Sequence, residues 1–251
     1  FLELALSLKF LSVADLAYGW HILDREVFVA LWIVIFALLG FYLLGLISFP
    51  HDDEDHKKTS VTRFFLATIS LSFAMYMVPG LWGAPLRAIS AFAPPMSTQD
   101  WVCTGNGGAT GAQTVSEQIT FTDYEEGMAY AREHNMPVFL DFNGYGCVNC
   151  RKMEAAVLTK PEVEEHMHKY VLISLIVDDK TALAEPIVLE ENGRKVTLKT
   201  VGDKWSYMQR TEYGANAQPY YVQLNPDGSR LVESTYSYDE DIDKFLEWLK
   251  Y

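Results

Sequence analysis

The sequence has few cysteines: Cys103, Cys147 and Cys150 are the only three, and there is no second C-x-x-C pair. A zinc site usually needs four ligands, and Cys103, His166 and His168 are scattered along the chain, so the sequence disfavours zinc. A structural disulfide across Cys147 and Cys150 would close so short a loop that it would hardly constrain the unfolded chain. The spacing therefore favours a dithiol switch, with no metal and no cofactor beyond the cysteine pair.

The sequence also lacks a basic stripe. Its net charge is −13, and residues 1–95 carry 8 acidic and 6 basic residues, whereas residues 96–251 carry 25 and 14. A surface this acidic repels phosphates, which argues against a nucleic-acid partner. The simplest interpretation of the excess negative charge is that it keeps the protein soluble. No signal peptide is evident, and since the chain opens with Phe1 inside an apolar stretch, we expect it to be part of a longer polypeptide.

Two long stretches lack any charged residue and predict transmembrane helices. Residues 27–49 and 64–86 each give 23 uncharged, mostly apolar residues, enough to cross a hydrocarbon core of about 30 Å. Prolines and glycines crowd the far end of the second stretch and predict a kink or break there. Residues 1–14 are apolar but contain Glu3 and Lys9, which indicates either the end of a truncated membrane helix or an interfacial amphipathic helix.

Positive charge beside the two predicted spans indicates their orientation. The loop at 50–63 contains three lysine or arginine residues, whereas the outer flanks offer Arg25 and Arg87. The positive-inside rule places this loop in the cytoplasm. The second span would then deliver the rest of the chain to the periplasm or cell exterior, where dithiol and disulfide chemistry is common.

Two polar segments have bland interpretations. The run from His51 to His56 contains two histidines and four acidic residues, but nothing preorganises these ligands, so a solvated loop is preferred to a metal cluster. Prolines and glycines predict a flexible linker over 96–116, between a membrane part at 1–95 and a soluble domain at 117–251. Cys103 in this linker is either a bystander thiol or a partner in a regulatory or intermolecular disulfide.

The soluble domain alternates predicted strands and helices. Thr122–Glu125 has the pattern of a capping box that opens a helix ending near His134, and Gly214 is expected to end a later helix. The β-α-β-α-β order implies parallel strands with crossover helices. A hairpin turn is expected at Glu191–Arg194. The predicted strands are 117–121, 136–142, 170–177, 187–189, 195–198, 220–224 and 230–233, and the predicted helices are 122–134, 148–158, a short one from 159, 203–213 and 239–250.

The two cysteines lie where a buried strand gives way to a helix. Gly144 and Gly146 end the strand, so Cys147 is predicted in the first turn of the helix and Cys150 one turn further in. Unpaired amides at a helix N-terminus stabilise a thiolate, and the thiolate is the species that attacks a disulfide. Cys147 is therefore the predicted nucleophile, and Cys150, which faces it across the turn, is the predicted resolving thiol.

Three motifs together carry a resemblance to the thioredoxin fold. Asp141 lies six residues before the first cysteine, the C-x-x-C pair opens a helix, and Pro219 opens a later strand. With the preceding membrane helices and the run Cys-Val-Asn-Cys-Arg-Lys-Met-Glu at 147–154, the chain resembles the C-terminal part of the DsbD family of thiol:disulfide interchange proteins. The fold class that this implies is a C-terminal α/β thioredoxin-like domain preceded by α-helical transmembrane segments.

The resemblance also implies roles for residues around the dithiol. Pro219 would be cis, leaving the backbone of Gln218 free to pair with a substrate strand; an ordinary trans turn proline is the alternative. Asp141 and Glu154 would be the acids beneath the dithiol. A carboxyl group in an apolar strand has a raised pKa and can exchange a proton with Cys150. A hydrogen-bonded strand carboxylate and a solvated helix carboxylate are the respective alternatives.

Two departures from the family pattern affect these expectations. Thioredoxins usually have a tryptophan just before the first cysteine, whereas here Tyr145 and Gly146 occupy that place as the expected substrate-facing residues. Residues 1–95 contain no cysteine. The membrane-embedded cysteine pair of this family, and the N-terminal periplasmic domain that receives its electrons, are therefore expected upstream of this sequence.

The leading hypothesis is a protein-disulfide reductase, a multi-pass protein of the bacterial inner membrane with its thioredoxin-like domain in the periplasm. It would relay electrons from the membrane cysteine pair to the N-terminal periplasmic domain of the same protein and to oxidised periplasmic proteins. The resemblance further implies roles in cytochrome c biogenesis and disulfide correction, and contact with membrane lipid. The alternatives are a disulfide oxidase or isomerase, which differ in reduction potential, and a binding module without redox turnover.

Overall fold

The computed structural model describes residues 1–50, 52, 59–84, 86–99, 119–191 and 194–249. Within these ranges the chain forms two compact units, one with 1–15 and the described residues from 20 to 99, the other with 16–19 and 119–249. The predictions for Cys103, for the 96–116 linker beyond residue 99, and for all of the 51–56 run except Asp52 lie outside the described residues.

The first unit is helical. It contains α1 (Leu2–Tyr18) as far as residue 15, α2 (Arg25–Leu43) and α3 (Val61–Met77), and α3 continues as a 3₁₀ helix over Val78–Trp82. Segments Arg25–Leu43 and Val61–Trp82 are long and apolar enough to cross a membrane, by length and composition alone. The α-to-3₁₀ change is the break predicted near the end of the second stretch, and Pro79 lies at its start, where it removes a helical donor.

Close backbone approach joins α2 to α3. A Cβ atom on Gly40 would lie 2.6 Å from the side chain of Leu71 and 3.4 Å from the carbonyl oxygen of Ala67, so a larger residue here would require Leu71 to shift. One turn away, the hydroxyl of Ser70 donates to the carbonyl of Phe36 at 2.6 Å. Small residues and such interhelical bonds let apolar helices pack without burying large polar groups.

The second unit is built on a five-stranded sheet in the order β1-β3-β2-β6-β7. Strands β1, β3 and β2 are parallel, whereas β6 and β7 join antiparallel to β2 and to each other. The predicted crossover pattern is therefore confirmed. The strands are β1 (Thr120–Phe121), β2 (Val138–Asn143), β3 (Val171–Ile176), β6 (Tyr220–Leu224) and β7 (Tyr236–Ser237).

Helices cover both faces of this sheet. One core packs α4 (Tyr124–His134) and α7 (Val201–Tyr213) against side chains that include Leu140 and Phe142 of β2. The opposite core contains Phe139 with side chains from α5 (Val148–Met153), α6 (Pro161–Met167) and α8 (Ile242–Trp248). Since strand side chains alternate between faces, Asp141 and Asn143 point to the same side as Phe139, toward α5.

A hairpin of β4 (Ala182–Glu191) and β5 (Arg194–Thr200) forms a separate two-stranded sheet between β3 and α7. It confirms the predicted hairpin, with Glu191 opposite Arg194. Helix α7 then begins in close contact with the end of β3. The amide of Gly202 donates to the carbonyl of Asp179 at 3.0 Å, and a Cβ atom there would lie 2.6 Å from the carbonyl oxygens of Val177 and Asp179.

Three local predictions were wrong. The cap of α4 is Asp123, not Thr122, because the Asp123 carboxylate accepts from the amides of the first turn. The strand predicted at 230–233 is reduced to a single bridge between Leu224 and Arg230. The turn residue Asn225 donates to the Arg230 carbonyl. The amide of Leu231 donates to the carbonyl of Gln223 at 2.9 Å, after which the chain leaves β6 and the strand that pairs with it is β7. The last helix is shorter than predicted, since Asp241 caps it.

Candidate active site

The dithiol lies at the end of β2, where the chain turns into α5. Cys147 is the N-cap residue of α5, and its sulfur accepts from the amide of Cys150 at 3.1 Å. The two sulfurs form a disulfide with an S–S distance of 2.06 Å. Cys147 is half-buried, whereas Cys150 is only 1% exposed. The first cysteine is thus partly accessible to solvent, whereas the second is enclosed.

Asp141 lies in the sheet on the α5 side and is 6% exposed. Its Oδ2 accepts from Nδ2 of Asn143 at 3.1 Å and from the hydroxyl of Ser174 at 3.4 Å. Its Oδ1 has no hydrogen-bond partner among the described residues. Burial, and secondarily the charge of Glu154, raises the pKa of Asp141 to about 7, while Arg151 and these donors oppose the rise. The carboxyl can therefore hold or release a proton near neutral pH.

Glu154 belongs to the same polar network. Nη1 of Arg151 donates to its Oε2 at 2.7 Å, and Nδ2 of Asn143 donates to its Oε1 at 3.3 Å. Nη2 of Arg151 also donates to Oδ1 of Asn143 at 2.9 Å. The Asn143 amide thus links the two predicted acids. Arg151 is 6% exposed, so a buried cation offsets the negative charge of this cluster.

Asp178, just beyond β3, holds the turn that precedes Cys147. Its Oδ1 accepts from the amide of Tyr145 at 2.8 Å, and its Oδ2 accepts from the amide of Gly146 at 3.0 Å. Burial, followed by the charges of Asp179 and Asp178, raises the pKa of the Tyr145 hydroxyl. The two residues expected to face the substrate therefore lie on a turn that a carboxylate fixes.

The peptide bond between Gln218 and Pro219 is cis, as the resemblance implied. Gln209, a fully buried residue of α7, supports this segment with both ends of its amide. Its Nε2 donates to the carbonyl of Ala217 at 2.8 Å, and its Oε1 accepts from Nε2 of Gln218 at 2.9 Å. A fixed backbone before the cis proline suits recognition of an extended segment.

A groove of about 500 Å³ connects the dithiol to this segment, and it is open to solvent on one side. The dithiol turn forms one wall, the end of β3 forms another, and Gln218 completes the lining. Its residues are Gly144, Gly146, Cys147, Val148, Asn149, Val177, Asp178 and Gln218.

The structure thus brings the predicted residues into two groups. Cys147, Gly146 and Gln218 line the groove, whereas Asp141 and Glu154 are joined through Asn143 and Arg151, and Cys150 is buried in α5. Sequence reasoning missed the four residues that hold these groups, Asn143, Arg151, Asp178 and Gln209. Among the residues that the structure describes, no group of three or more His, Cys, Asp or Glu side chains is placed to hold a metal ion.

This combination of a C-x-x-C pair at a helix start, a buried acid and a cis proline on a mixed sheet defines a thioredoxin-like protein. The model of the thioredoxin-like domain family matches residues 124–251, and the chain belongs to that family. A comparison with curated proteins gives no match.

Solved structures similar to this chain include a thioredoxin from Thermus thermophilus, at 20% identity and a TM-score of 0.38, over 53% of this chain and 85% of that one. The C-terminal domain of DsbD from Neisseria meningitidis in its reduced form matches at 24% identity and a TM-score of 0.36, over 52% of this chain and 96% of that one. Its oxidised form matches at the same identity and TM-score.

Proposed function

We propose that this protein is a membrane-anchored thiol:disulfide oxidoreductase that works as a protein-disulfide reductase. The observation that carries the proposal is the asymmetry of the pair. Cys147 is half-buried at a helix start, while Cys150 is almost fully buried, and the buried Asp141 on the α5 side of the sheet has a pKa raised to about 7. A nucleophile and a resolving thiol need this difference in access.

In the first step, the reduced Cys147 thiolate attacks one sulfur of a partner disulfide. A bond forms between Cys147 and that sulfur, the partner S–S bond breaks, and the other partner sulfur leaves as a thiolate that takes up a proton. The amide of Cys150, which points at the Cys147 sulfur, stabilises the attacking anion. The groove beside Gln218 would hold the partner backbone during this step.

In the second step, the Cys150 thiol loses its proton to Asp141 and attacks the Cys147 sulfur. The Cys147–Cys150 bond forms, the mixed disulfide breaks, and the remaining partner sulfur leaves as a thiolate and is protonated. Two electrons have then passed from the dithiol to the partner. Asp141 suits this proton transfer because its pKa is about 7 and its Oδ1 is unengaged by the described residues. Glu154, linked to it through Asn143, would tune that acidity.

The oxidised domain needs a dithiol to reduce it again. We assign this role to the membrane cysteine pair that the family resemblance implies, with transfer onward to the N-terminal periplasmic domain, oxidised periplasmic proteins and cytochrome c biogenesis. Two observations support a membrane anchor: the two long apolar helices, and exposed apolar side chains on α3 such as Phe65 and Ile69. The charge bias around the helices supports a periplasmic position for the domain.

Trapping of mixed disulfides tests the proposal. The full chain carrying Cys150→Ala, in detergent and with Cys103→Ser to remove the third thiol, should accumulate adducts with an oxidised protein such as insulin. The matched Cys147→Ala variant should form few, because Cys150 is buried. Adducts that form equally with both variants, or with neither, would contradict the proposed roles.

Direction is tested by equilibrium with glutathione. A reductase should stay largely oxidised in buffers where glutathione itself is mostly reduced, with a potential below that of the periplasmic substrates. A potential above theirs would make the protein an oxidase or isomerase instead. A dithiol that never exchanges would leave only the binding-module alternative.

A further inference from the structure

The turn before Cys147 is held by one carboxylate. Each oxygen of Asp178 takes one backbone amide: Oδ1 accepts from Tyr145 at 2.8 Å and Oδ2 from Gly146 at 3.0 Å. These are the two positions at which the sequence departs from the tryptophan usual in thioredoxins. A side chain from just beyond β3 therefore fixes the backbone of the turn immediately before Cys147.

The fit between the turn and the carboxylate is close. A Cβ atom on Gly144 would lie 3.2 Å from Oδ2 of Asp178, which is tighter than ordinary van der Waals contact. Asp178 and Cys147 also line the same groove. The carboxylate is thus seated against the backbone of the turn and on the side from which a partner approaches the sulfur.

Backbone bonds fix the position of Asp178 as well. On one side, the amide of Val177 donates to the carbonyl of Asn143 at 2.9 Å, which ties the end of β3 to the end of β2. On the other side, the amide of Gly202 donates to Asp179. The carboxylate therefore belongs to a residue whose neighbours on both sides are held by backbone hydrogen bonds.

We infer that Asp178 is a positioning residue that makes this dithiol a stronger reductant; the inference rests on the proposed function and deepens it. A carboxylate near the Cys147 sulfur disfavours a thiolate there. It also engages two amides that would otherwise favour negative charge in the turn. The thiolate exists only in the reduced form, so raising its free energy favours the disulfide and drives electrons toward the partner. Because the Asp178 carboxylate lines the groove, positively charged residues beside a partner disulfide would be favoured there.

The test compares two neighbouring carboxylates that carry the same charge. Asp178→Asn removes the charge but keeps one acceptor for the turn, whereas Asp179→Asn removes a charge whose carboxylate instead accepts from the amide of Thr181. Both are made in the full chain in detergent, with Cys103→Ser, and are equilibrated with glutathione buffers at pH 7. Thermal unfolding checks that each variant is folded, and Asp178→Ala provides a second removal of the charge.

We expect Asp178→Asn to shift the glutathione equilibrium about tenfold toward the dithiol, or about 30 mV for a two-electron couple, and to speed alkylation of Cys147 by iodoacetamide. Asp178→Ala should shift it in the same direction, and Asp179→Asn by less than about twofold. Equal shifts for the two asparagine variants, no shift, or a shift toward the disulfide would overturn the inference while the reductase function stands. A wild-type chain that never exchanges would overturn the proposed function and this inference with it.

Discussion

The two sulfurs of the dithiol lie only 2.06 Å apart, yet their surroundings differ in almost every respect. Cys147 faces a solvent-open groove whose fixed groups are backbone amides, Gln218 and the Asp178 carboxylate. Cys150 is 1% exposed, and the buried Asp141 and Arg151 are each 6% exposed. One sulfur belongs to a half-buried residue at an open groove and the other to an enclosed one.

This difference teaches how one short motif can support two chemical steps. Attack on a partner needs reach and a stabilised anion, which a helix start and an open groove provide. In the proposed second step, release of the partner needs a proton acceptor, and the proposal gives that role to the buried carboxyl of Asp141. A change around Cys150 should therefore leave attack by Cys147 largely intact, and a change in the groove should leave release by Cys150 largely intact.

The largest expected effect is on stability, through Asp141. Its pKa rises from 3.8 to about 7 on folding, so between pH 4 and pH 7 the folded domain keeps a proton that the unfolded chain has lost. Stability therefore falls as the pH rises through this window, by up to about 4 kcal/mol. The Asp141→Asn variant has no ionisable group at this position. Its stability should therefore lack this contribution to the fall between pH 4 and pH 7. Hydrogen exchange of β2 amides at pH 4 and pH 8 in both chains measures the difference; equal pH dependence would contradict the buried-acid assignment.

The next effect is kinetic and should fall on one step only. Asp141→Asn should slow release of the partner by Cys150 about 100-fold at pH 7, because the proton acceptor is gone. Attack by Cys147 should change less than about threefold. Rapid acid quenching of single turnovers resolves the two steps. Ser174→Ala is the matched control, since its hydroxyl contacts the same carboxylate at 3.4 Å but accepts no proton.

Arg151→Gln should affect the release step of Cys150 less than Asp141→Asn does. Arg151 lowers the pKa of Asp141 and pairs with Glu154 at 2.7 Å. Its loss should move the pH at which the release step is half-maximal upward and cost about 2 kcal/mol of stability, since the Glu154 carboxylate keeps partial access to water. Lys152→Gln, on the next residue, should do neither. An unchanged pH profile would mean that the guanidinium is structural only.

The smallest effect should appear on the groove side. Gln209→Met keeps the volume but removes both bonds to the Ala217–Gln218 segment, and should raise KM for a protein disulfide about fivefold, or about 1 kcal/mol. Exchange with glutathione, which needs no strand pairing, should stay unchanged. Gln223 is an equally buried glutamine that bonds instead to Tyr170 and Trp248. Gln223→Met should lower stability without changing KM. Equal KM values for the Gln209→Met and Gln223→Met variants would contradict a binding role for Gln209.

Much of the domain follows from short-range patterns. The buried strand, the cysteine helix, the hairpin and the helix end at Gly214 are encoded within a few residues each, through hydrophobic runs, turn residues and caps. The Cys147 position followed from the C-x-x-C spacing at a helix start, whereas the roles of Asp141 and Pro219 came from the resemblance to the thioredoxin fold. Where two local signals competed, as at Thr122 and Asp123, the choice between caps depended on backbone geometry that the sequence does not display.

The supporting residues were hidden because tertiary contacts define them. Asn143 and Asp178 each follow a buried strand, and adjacent parallel strands bring such positions to one edge of the sheet. The position of these two residues at strand ends is a signal that the sequence displays. Gln209 gave no signal, since a glutamine within a helix is ordinary until the chain folds its amide against the segment before Pro219. Arg151 likewise resembles a solvated helix residue in the sequence.

The close approach at Gly202 couples the first turn of α7 to the segment that carries Asp178; if Asp178 sets the redox poise as inferred, a helix whose described contacts do not include the sulfurs could change it. A methyl group there would collide with the carbonyls of Val177 and Asp179 and displace the short segment between them, which carries Asp178. A drug-sized molecule or an accessory chain that bound against the first turn of α7 would displace the same segment without blocking the groove.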